Sequence, residues 1–421
     1  MHFCHLDASV ARGDTRAMAT FAPGKTVAPL LGDRGLLPDL SARAYLNHSA
    51  ISPVCQPVRA AIDRVLTDYA ERGVLAFGTW AKQRGSLKES LAKLMGARPE
   101  DLALTANTTA GVTDIAVCFP WRPGDRIISF QGEFPANVTP WQRAAELFGL
   151  NLELLPANRY LDDLPGALAQ LEAELERGAR LVAVSAVQFQ TGLRMPMDEI
   201  GSRCRRHGAE LFVDAIQGLG VMPVNVDAWG ADYLTSGSHK YLMGVEGGGV
   251  LYVRPERVAS LRPHLAGWLS HEEAESFLFR GPGYLRYDRP IRAQASLFEG
   301  GTCNVAGYAA LGASVDLLLE LGVDEIFKHV TTYVEALEPG VVELGCQSLR
   351  SGDPTLCSSI LAVAPPPGVS VVALRNALLR RGVVVGIPDG NLRFAPHWHN
   401  ALDEVPVVLD ALEQSLAEVR G

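Results

Sequence analysis

Asp232-Tyr-Leu-Thr-Ser-Gly-Ser-His-Lys240-Tyr-Leu-Met-Gly244 comes shortly after Leu211-Phe-Val-Asp214-Ala-Ile-Gln217. Leu211 to Asp214 reads as a short buried strand that ends in an acid. In a parallel sheet that acid stands at the carboxyl edge, where such sheets bind their ligands. Ala231 to Ser236 reads as the next strand and delivers His239 and Lys240 to the same edge. A lone Lys/Asp pair is most often a solvated lysine and a strand-end cap. Here the shared edge points elsewhere: a lysine amine can form a Schiff base while a carboxylate keeps a pyridine nitrogen protonated, the chemistry of pyridoxal phosphate (PLP).

The pattern around this pair is an alternation of strands and helices. Pro57 to Gly73 and Trp80 to Gly96 are helices, each closed by glycine. Strands follow at 102–105, 126–130, 152–155, 181–187, 210–213, 233–235 and 249–253, with helices from about Thr109 and over 135–148, 164–176 and 196–207. Repeated βα units predict an α/β fold, a mainly parallel sheet clad by helices on both faces. Beyond Gly300 two long amphipathic helices (305–321 and 323–345), short strands and helices at 370–381 and 403–419 predict a smaller α+β domain. The expected division is an N-terminal extension (1–40), a large domain (41–300) and a small C-terminal domain (301–421). Residues 1–20 have no continuous apolar core and read as a loose extension, neither signal peptide nor membrane span.

With 421 residues, 48% hydrophobic and 20% charged, the chain has an ordinary globular composition and length for a large core. The net charge of -9 has no basic run behind it, which argues against nucleic acid or an anionic membrane as partner. Seven scattered cysteines without a C-x-x-C spacing give neither a disulfide framework nor a zinc site. A reducing cytoplasm is the expected compartment.

Three further segments fit the same site. Ala106-Asn-Thr108-Thr109-Ala-Gly111 lies between a strand and a helix, where hydroxyls and N–H groups converge on a helix N-terminus suited to phosphate. Standing alone, it is more often a simple threonine N-cap. Gly132-Glu-Phe134-Pro-Ala-Asn137 follows a strand end and offers an aromatic ring to a flat pyridine, although a lone Phe is usually core. Gln217 is placed to hydrogen-bond the cofactor's phenolic oxygen.

Tyr45-Leu-Asn-His-Ser-Ala, Ser185-x-Val187-x-x-x-Thr191-Gly192, Asp214-x-x-Gln217, Ser-x-Ser-His-Lys240, Phe298-Glu-Gly-Gly-Thr302 and Leu392-Arg393-Phe occur in an order that resembles the class V aminotransferase family, fold type I PLP-dependent transferases. The resemblance runs from about Tyr45 to Leu416. It implies that Lys240 is the Schiff-base lysine, Asp214 the pyridinium partner, Gln217 the phenolate ligand and Phe134 the stacking ring. Thr108, Thr109, Ser236 or Ser238, and His239 resemble phosphate ligands. Thr302 resembles a residue reaching the other subunit's phosphate, so a homodimer with a composite active site is implied. Arg393 resembles the clamp for the substrate carboxylate, which a guanidinium binds bidentately; Asn47 and His48 are placed with the substrate.

The departures bear on the reaction. Family desulfurases carry a nucleophilic cysteine shortly before the substrate arginine, yet 382–392 has none. Cys357, the nearest upstream, reads as the start of a strand over 355–363. Those enzymes stack a histidine on the cofactor, whereas Phe134 transfers no proton and leaves Lys240 as the acid/base. The reading is a PLP enzyme working at Cα of an amino acid, with aminotransferase or epimerase-like chemistry ranked above C–S or C–C lyase chemistry and desulfurase chemistry last. A regulatory PLP-fold protein is the non-enzyme alternative. A metal-dependent hydrolase using His397 and His399 is a third reading, but no further ligand is evident and no metal is expected.

Overall fold

The structure is a computed structural model that describes residues 29–420. Its large sheet is built from β2 (Leu102–Thr105), β3 (Arg126–Gln131), β4 (Asn151–Pro156), β5 (Ala179–Ser185), β6 (Glu210–Asp214), β7 (Tyr233–Gly237) and β8 (Gly249–Val253), after a short β1 (Ala44–Leu46) that belongs elsewhere. The order is β2-β8-β7-β6-β5-β3-β4, and β8 alone runs against its neighbours. Every residue of β2, β6, β7 and β8 is buried. Continuous apolar runs of this kind are what a sheet covered on both faces requires. The predicted α/β architecture of fold type I is present.

The chain steps outward from β3 to β4 and then inward through β5, β6 and β7, so the winding reverses between β3 and β5. Ligands of open parallel sheets bind outside the carboxyl ends at such a reversal. On the inner side of that reversal, Ser185 of β5 lies beside Asp214 of β6, and Asp214 beside Thr235 of β7. Close helix packing brings side chains to that edge. The helix Thr108–Cys118 passes so near β7 that a Cβ on Gly111 would stand 2.2 Å from the Thr235 hydroxyl.

The C-terminal part has a three-stranded antiparallel sheet, β12 (Leu392–Phe394), β10 (Leu361–Ala364) and β9 (Gln347–Ser348). A two-stranded parallel pair joins β11 (Val383–Val385) to β1 from the other end of the sequence. Ala44 and Leu46 are buried in the same apolar cluster as Leu374, Val383 and Phe394. The helix Val305–Leu321, read from sequence with the second domain, packs on the helices Gln56–Glu71 and Phe77–Met95. Among the described residues no single helix is long and apolar enough to cross a membrane.

Three local expectations change. Cys357 does not begin a strand: a 3-10 turn spans Pro354–Leu356, β10 starts at Leu361, and Cys357 only bridges Leu193. The helix expected over 135–148 is a 3-10 turn Pro135–Asn137 followed by Thr139–Phe148, the first turn being tightened by proline. Residues 29–40, assigned to the extension, are held in place. Leu36 and Leu37 are buried, and the Gly32 N–H donates to the Trp398 carbonyl at 2.7 Å. The reading of residues 1–20 lies outside the described residues.

Gly201, in the helix Met197–His207, has no room for a side chain because a Cβ would stand 1.8 Å from the Trp229 carbonyl oxygen. Backbone cannot yield as a flexible side chain can. Gly201→Ala should therefore cost about 3 kcal/mol of stability in urea denaturation; a change below about 0.5 kcal/mol would contradict this packing.

Candidate active site

Lys240 extends from the turn that follows β7, and 8% of it is exposed. Its Nζ lies 5.2 Å from the ring centre of Phe134. Burial pulls the ammonium down to about 8; the nearby Asp214 charge opposes that fall, and Arg393 adds to it. Asp214 ends β6, 2% exposed, and its carboxylate accepts the Ile216 N–H at 3.0 Å. Burial raises its pKa, with Glu133 pushing the same way and Lys240 against. A buried carboxyl held in this way is ready to bind a cation or a protonated ring nitrogen.

The groups that would hold a phosphate are open where the fold leaves them room. Asn107 caps the helix Thr108–Cys118 by accepting the Ala110 N–H at 2.9 Å. The Thr108 hydroxyl is buried without a protein partner, while Thr109 faces outward. A Cβ on Gly237 would sit 3.2 Å from Thr108 Oγ1 and 3.5 Å from His239 Cε1, so glycine keeps this cradle clear. Ser236 donates to the Gly237 carbonyl at 3.2 Å and Ser238 donates to the Val245 carbonyl, so each hydroxyl has already spent its proton on backbone.

Gln217 donates its amide to the Ser49 carbonyl at 3.1 Å, leaving Oε1 buried and unpartnered. The free group is an acceptor, which suits a protonated phenolic oxygen. Arg393, on β12, donates to the Phe189 carbonyl at 2.6 Å, and its Nε is a buried donor without a partner. Burial lowers its pKa to about 10. Asn47 Oδ1 is likewise unpartnered, and a Cβ on Gly386 would stand 2.8 Å from it and 3.2 Å from an Arg393 terminal nitrogen. Glycine at 386 thus lets Asn47 and Arg393 share one recess. Unfilled buried donors, an open cradle at a helix N-terminus and a lysine beside an aromatic ring fit PLP and an amino-acid carboxylate.

His48 is not with them. It is fully buried, with Nδ1 2.7 Å from Ser52 Oγ and Nε2 2.9 Å from His399 Nε2. Both ring nitrogens are occupied, so it has none to offer a substrate. His397 is similarly committed, 2.9 Å from the Tyr241 carbonyl through Nε2 while Nδ1 accepts the Trp398 N–H. No metal-binding cluster is present among the described residues. Thr302 is exposed and lines a cavity of about 700 Å³ with Ala106, Ala110 and Arg84, on the outer side of the phosphate cradle and away from Lys240.

Sequence reasoning overlooked Glu133. This buried carboxylate accepts the Ser185 N–H at 2.7 Å, the Gln188 amide at 2.9 Å, the Asn137 amide at 3.2 Å and the Ser185 hydroxyl. It anchors the Phe134 loop to the end of β5. An acid directly before Phe134, with an asparagine one turn later, was the available signal. Phe189 was also missed: its ring packs edge-on against Phe134 at 5.2 Å, and its carbonyl holds Arg393.

Residues 44–385 match the family Aminotransferase class-V. A probable cysteine desulfurase of Pyrococcus abyssi is 28% identical over 396 residues, covering 90% of this chain and 95% of that protein. An uncharacterized aminotransferase, YcbU of Bacillus subtilis, is 26% identical over 391 residues, 90% of this chain and 96% of its own length. The apo structure of cysteine desulfurase from Thermococcus onnurineus superposes with a TM-score of 0.80 at 25% identity, covering 94% of this chain and 100% of that one. The chain belongs to the class V aminotransferase family and is, with that family, a PLP-dependent enzyme.

The three inner histidines make stability acid-sensitive. Burial holds His48 well below the usual imidazole range, His397 at about 4 and His399 at about 3. Their folded pKa lies below the unfolded value of about 6.5, so the stabilisation is complete above about 6.5 and drains as the unfolded chain takes up protons toward pH 4. His397 alone accounts for about 3 kcal/mol over that window. Buried acids with raised pKa values, Asp214 and Glu133 among them, pull the other way over the same window in both proteins, so the test is the difference: between pH 7 and 4.5 His397→Gln should lose less, or gain more, urea midpoint than the wild type. Equal slopes would contradict the neutral assignment.

Proposed function

We propose that this enzyme removes the α-proton of an amino acid with Lys240 as base, and that the outcome is transamination or epimerisation. The observation carrying the proposal is the convergence of a buried lysine of lowered basicity, an aromatic face, a buried acid and an unfilled guanidinium donor at one sheet edge. PLP bound there supplies the electron sink that makes the α-proton acidic. Asp214 holds a proton at the pyridine nitrogen, and Phe134 packs on the ring. Arg393 Nε donates to the carboxylate, and Asn47, whose free Oδ1 accepts, takes an N–H of the substrate, which places Cα toward Lys240 Nζ. Burial brings the Lys240 pKa down to about 8, which raises the share of neutral amine able to take that proton and return it, whereas Phe134 has none to give. Thr108, Thr109 and His239 hold the phosphate in this reading, while Ser236 and Ser238 would have to release the Gly237 and Val245 carbonyls before either hydroxyl could join them.

The relatives named desulfurases favour a second reading, C–S bond cleavage. Against its persulfide form stands Cys357, whose thiol is 8% exposed and points to the backbone carbonyls of Ser351 and Asp353 at 3.5 Å. Burial raises its pKa, the opposite of what a nucleophilic thiol needs. A homodimer, with Thr302 reaching a partner's phosphate, and a cytoplasmic location complete the proposal. In support, Thr302 is exposed beside the cradle, and six cysteines among the described residues are free.

In D2O the loaded enzyme should exchange the α-hydrogen of its amino acid and, without an acceptor, yield no more than one 2-oxo acid per site. Turnover releasing sulfide or ammonia would replace transamination by elimination. Borohydride reduction and peptide mapping should label Lys240, and Lys240→Ala should abolish the label. Asp214→Ala should raise the barrier by ~3 kcal/mol while cofactor occupancy changes far less. Cys357→Ser should leave both cofactor binding and the reaction intact; robust persulfide release from cysteine that vanishes in this variant would overturn the ranking.

A further inference from the structure

The histidines that serve neither substrate nor metal lie against the peptide that carries Lys240. Three consecutive carbonyls of that turn are gripped from outside. Ser52 N–H donates to His239 O at 2.8 Å, Ser52 Oγ donates to Lys240 O at 2.6 Å, and His397 Nε2 donates to Tyr241 O at 2.9 Å. Because the Ser52 hydroxyl gives its proton to Lys240 O, it must accept at 2.7 Å from His48 Nδ1–H. His48 Nε2 then carries a lone pair, and His399 Nε2–H must donate to it at 2.9 Å. The proton order is therefore fixed from end to end: His399 to His48 to Ser52 to the carbonyl of Lys240.

The same turn is strained and needs holding. Met243 has φ 50, a left-handed conformation costly for a side chain of this kind, and its N–H closes back on Lys240 O at 2.9 Å. Trp398 Nε1 reaches Met243 Sδ at 3.0 Å. His397, Trp398 and His399 follow β12, the strand of Arg393, and His48 follows β1, its N–H donating to Ala395 O at 3.2 Å. One relay thus ties the substrate arginine's strand to the lysine's turn.

We propose that Ser52, His48 and His399 are positioning residues for Lys240, a directed relay of neutral side chains that fixes the lysine's peptide relative to the strand bearing Arg393. The proposal rests on Lys240 being the cofactor lysine. The relay touches no reacting atom; it holds the backbone from which Nζ projects, so each bond in it must keep its donor.

Amide exchange of Met243 and Gly244, whose N–H groups close the turn onto Lys240 and Ser238, reads this directly in the PLP-loaded protein. Ser52→Ala and His399→Leu should each speed it about tenfold, the loss of one buried hydrogen bond. His399→Gln, which keeps a side-chain N–H donor, should stay within about twofold of wild type. Wild-type exchange in Ser52→Ala, or equal acceleration in the Leu and Gln variants, overturns the relay; should His399→Leu fail to fold, Ser52→Ala decides. Borohydride mapping of the same samples separates the two ideas, since a label off Lys240 defeats the functional proposal without altering the exchange result.

Discussion

Keeping one lysine amine out of water is the constraint on which the site depends. An ammonium buried without compensation is expensive, and the protein meets that cost by lowering its basicity rather than by forming a close ion pair. The outcome is a Lys240 pKa near 8, with the amine beside the Phe134 ring and Asp214 near enough to moderate the shift. A surface lysine would be protonated almost entirely and useless as a base. The βα fold makes the burial possible, because carboxyl ends of adjacent strands deliver acid and amine to one dry edge.

The rest of the site is organised by residues 185–189. Ser185 and Gln188 bind the Glu133 carboxylate, which fixes the loop of Phe134. Phe189 packs on Phe134 with its ring and holds Arg393 with its carbonyl. The Phe134 ring and the Arg393 guanidinium therefore share one short piece of chain. Because Glu133 also bears electrostatically on Asp214, the buried charges at this sheet edge form a single set. Removing one partner would leave another buried and uncompensated.

Differences between sequence reading and structure have particular causes. Cys357 has strand-forming neighbours, but the proline before it and the bridge to Leu193 stop the ladder until Leu361. His48 stands in a motif next to Asn47, and only one of the two faces the arginine. The other turns inward to His399, a residue 351 positions away in sequence. Glu133 looks in sequence like a solvated loop acid, since nothing local reveals that Ser185 and Gln188 will supply its hydrogen bonds.

Local sequence was enough for the α/β alternation, the lysine and acid at neighbouring strand ends, the turn from Ala106 to Gly111 that opens a helix, and the family. Each is written in local patterns: apolar runs of strand length, a cap before a helix, residue types at fixed offsets. Only the assembled fold has β1 close on β11, Gly386 leave room for Asn47 beside Arg393, and His48 and His399 join Ser52 in a buried relay. Those facts depend on contacts between segments hundreds of residues apart. No local propensity encodes such contacts, and only the burial of the assembled chain sets the charge state of what meets there.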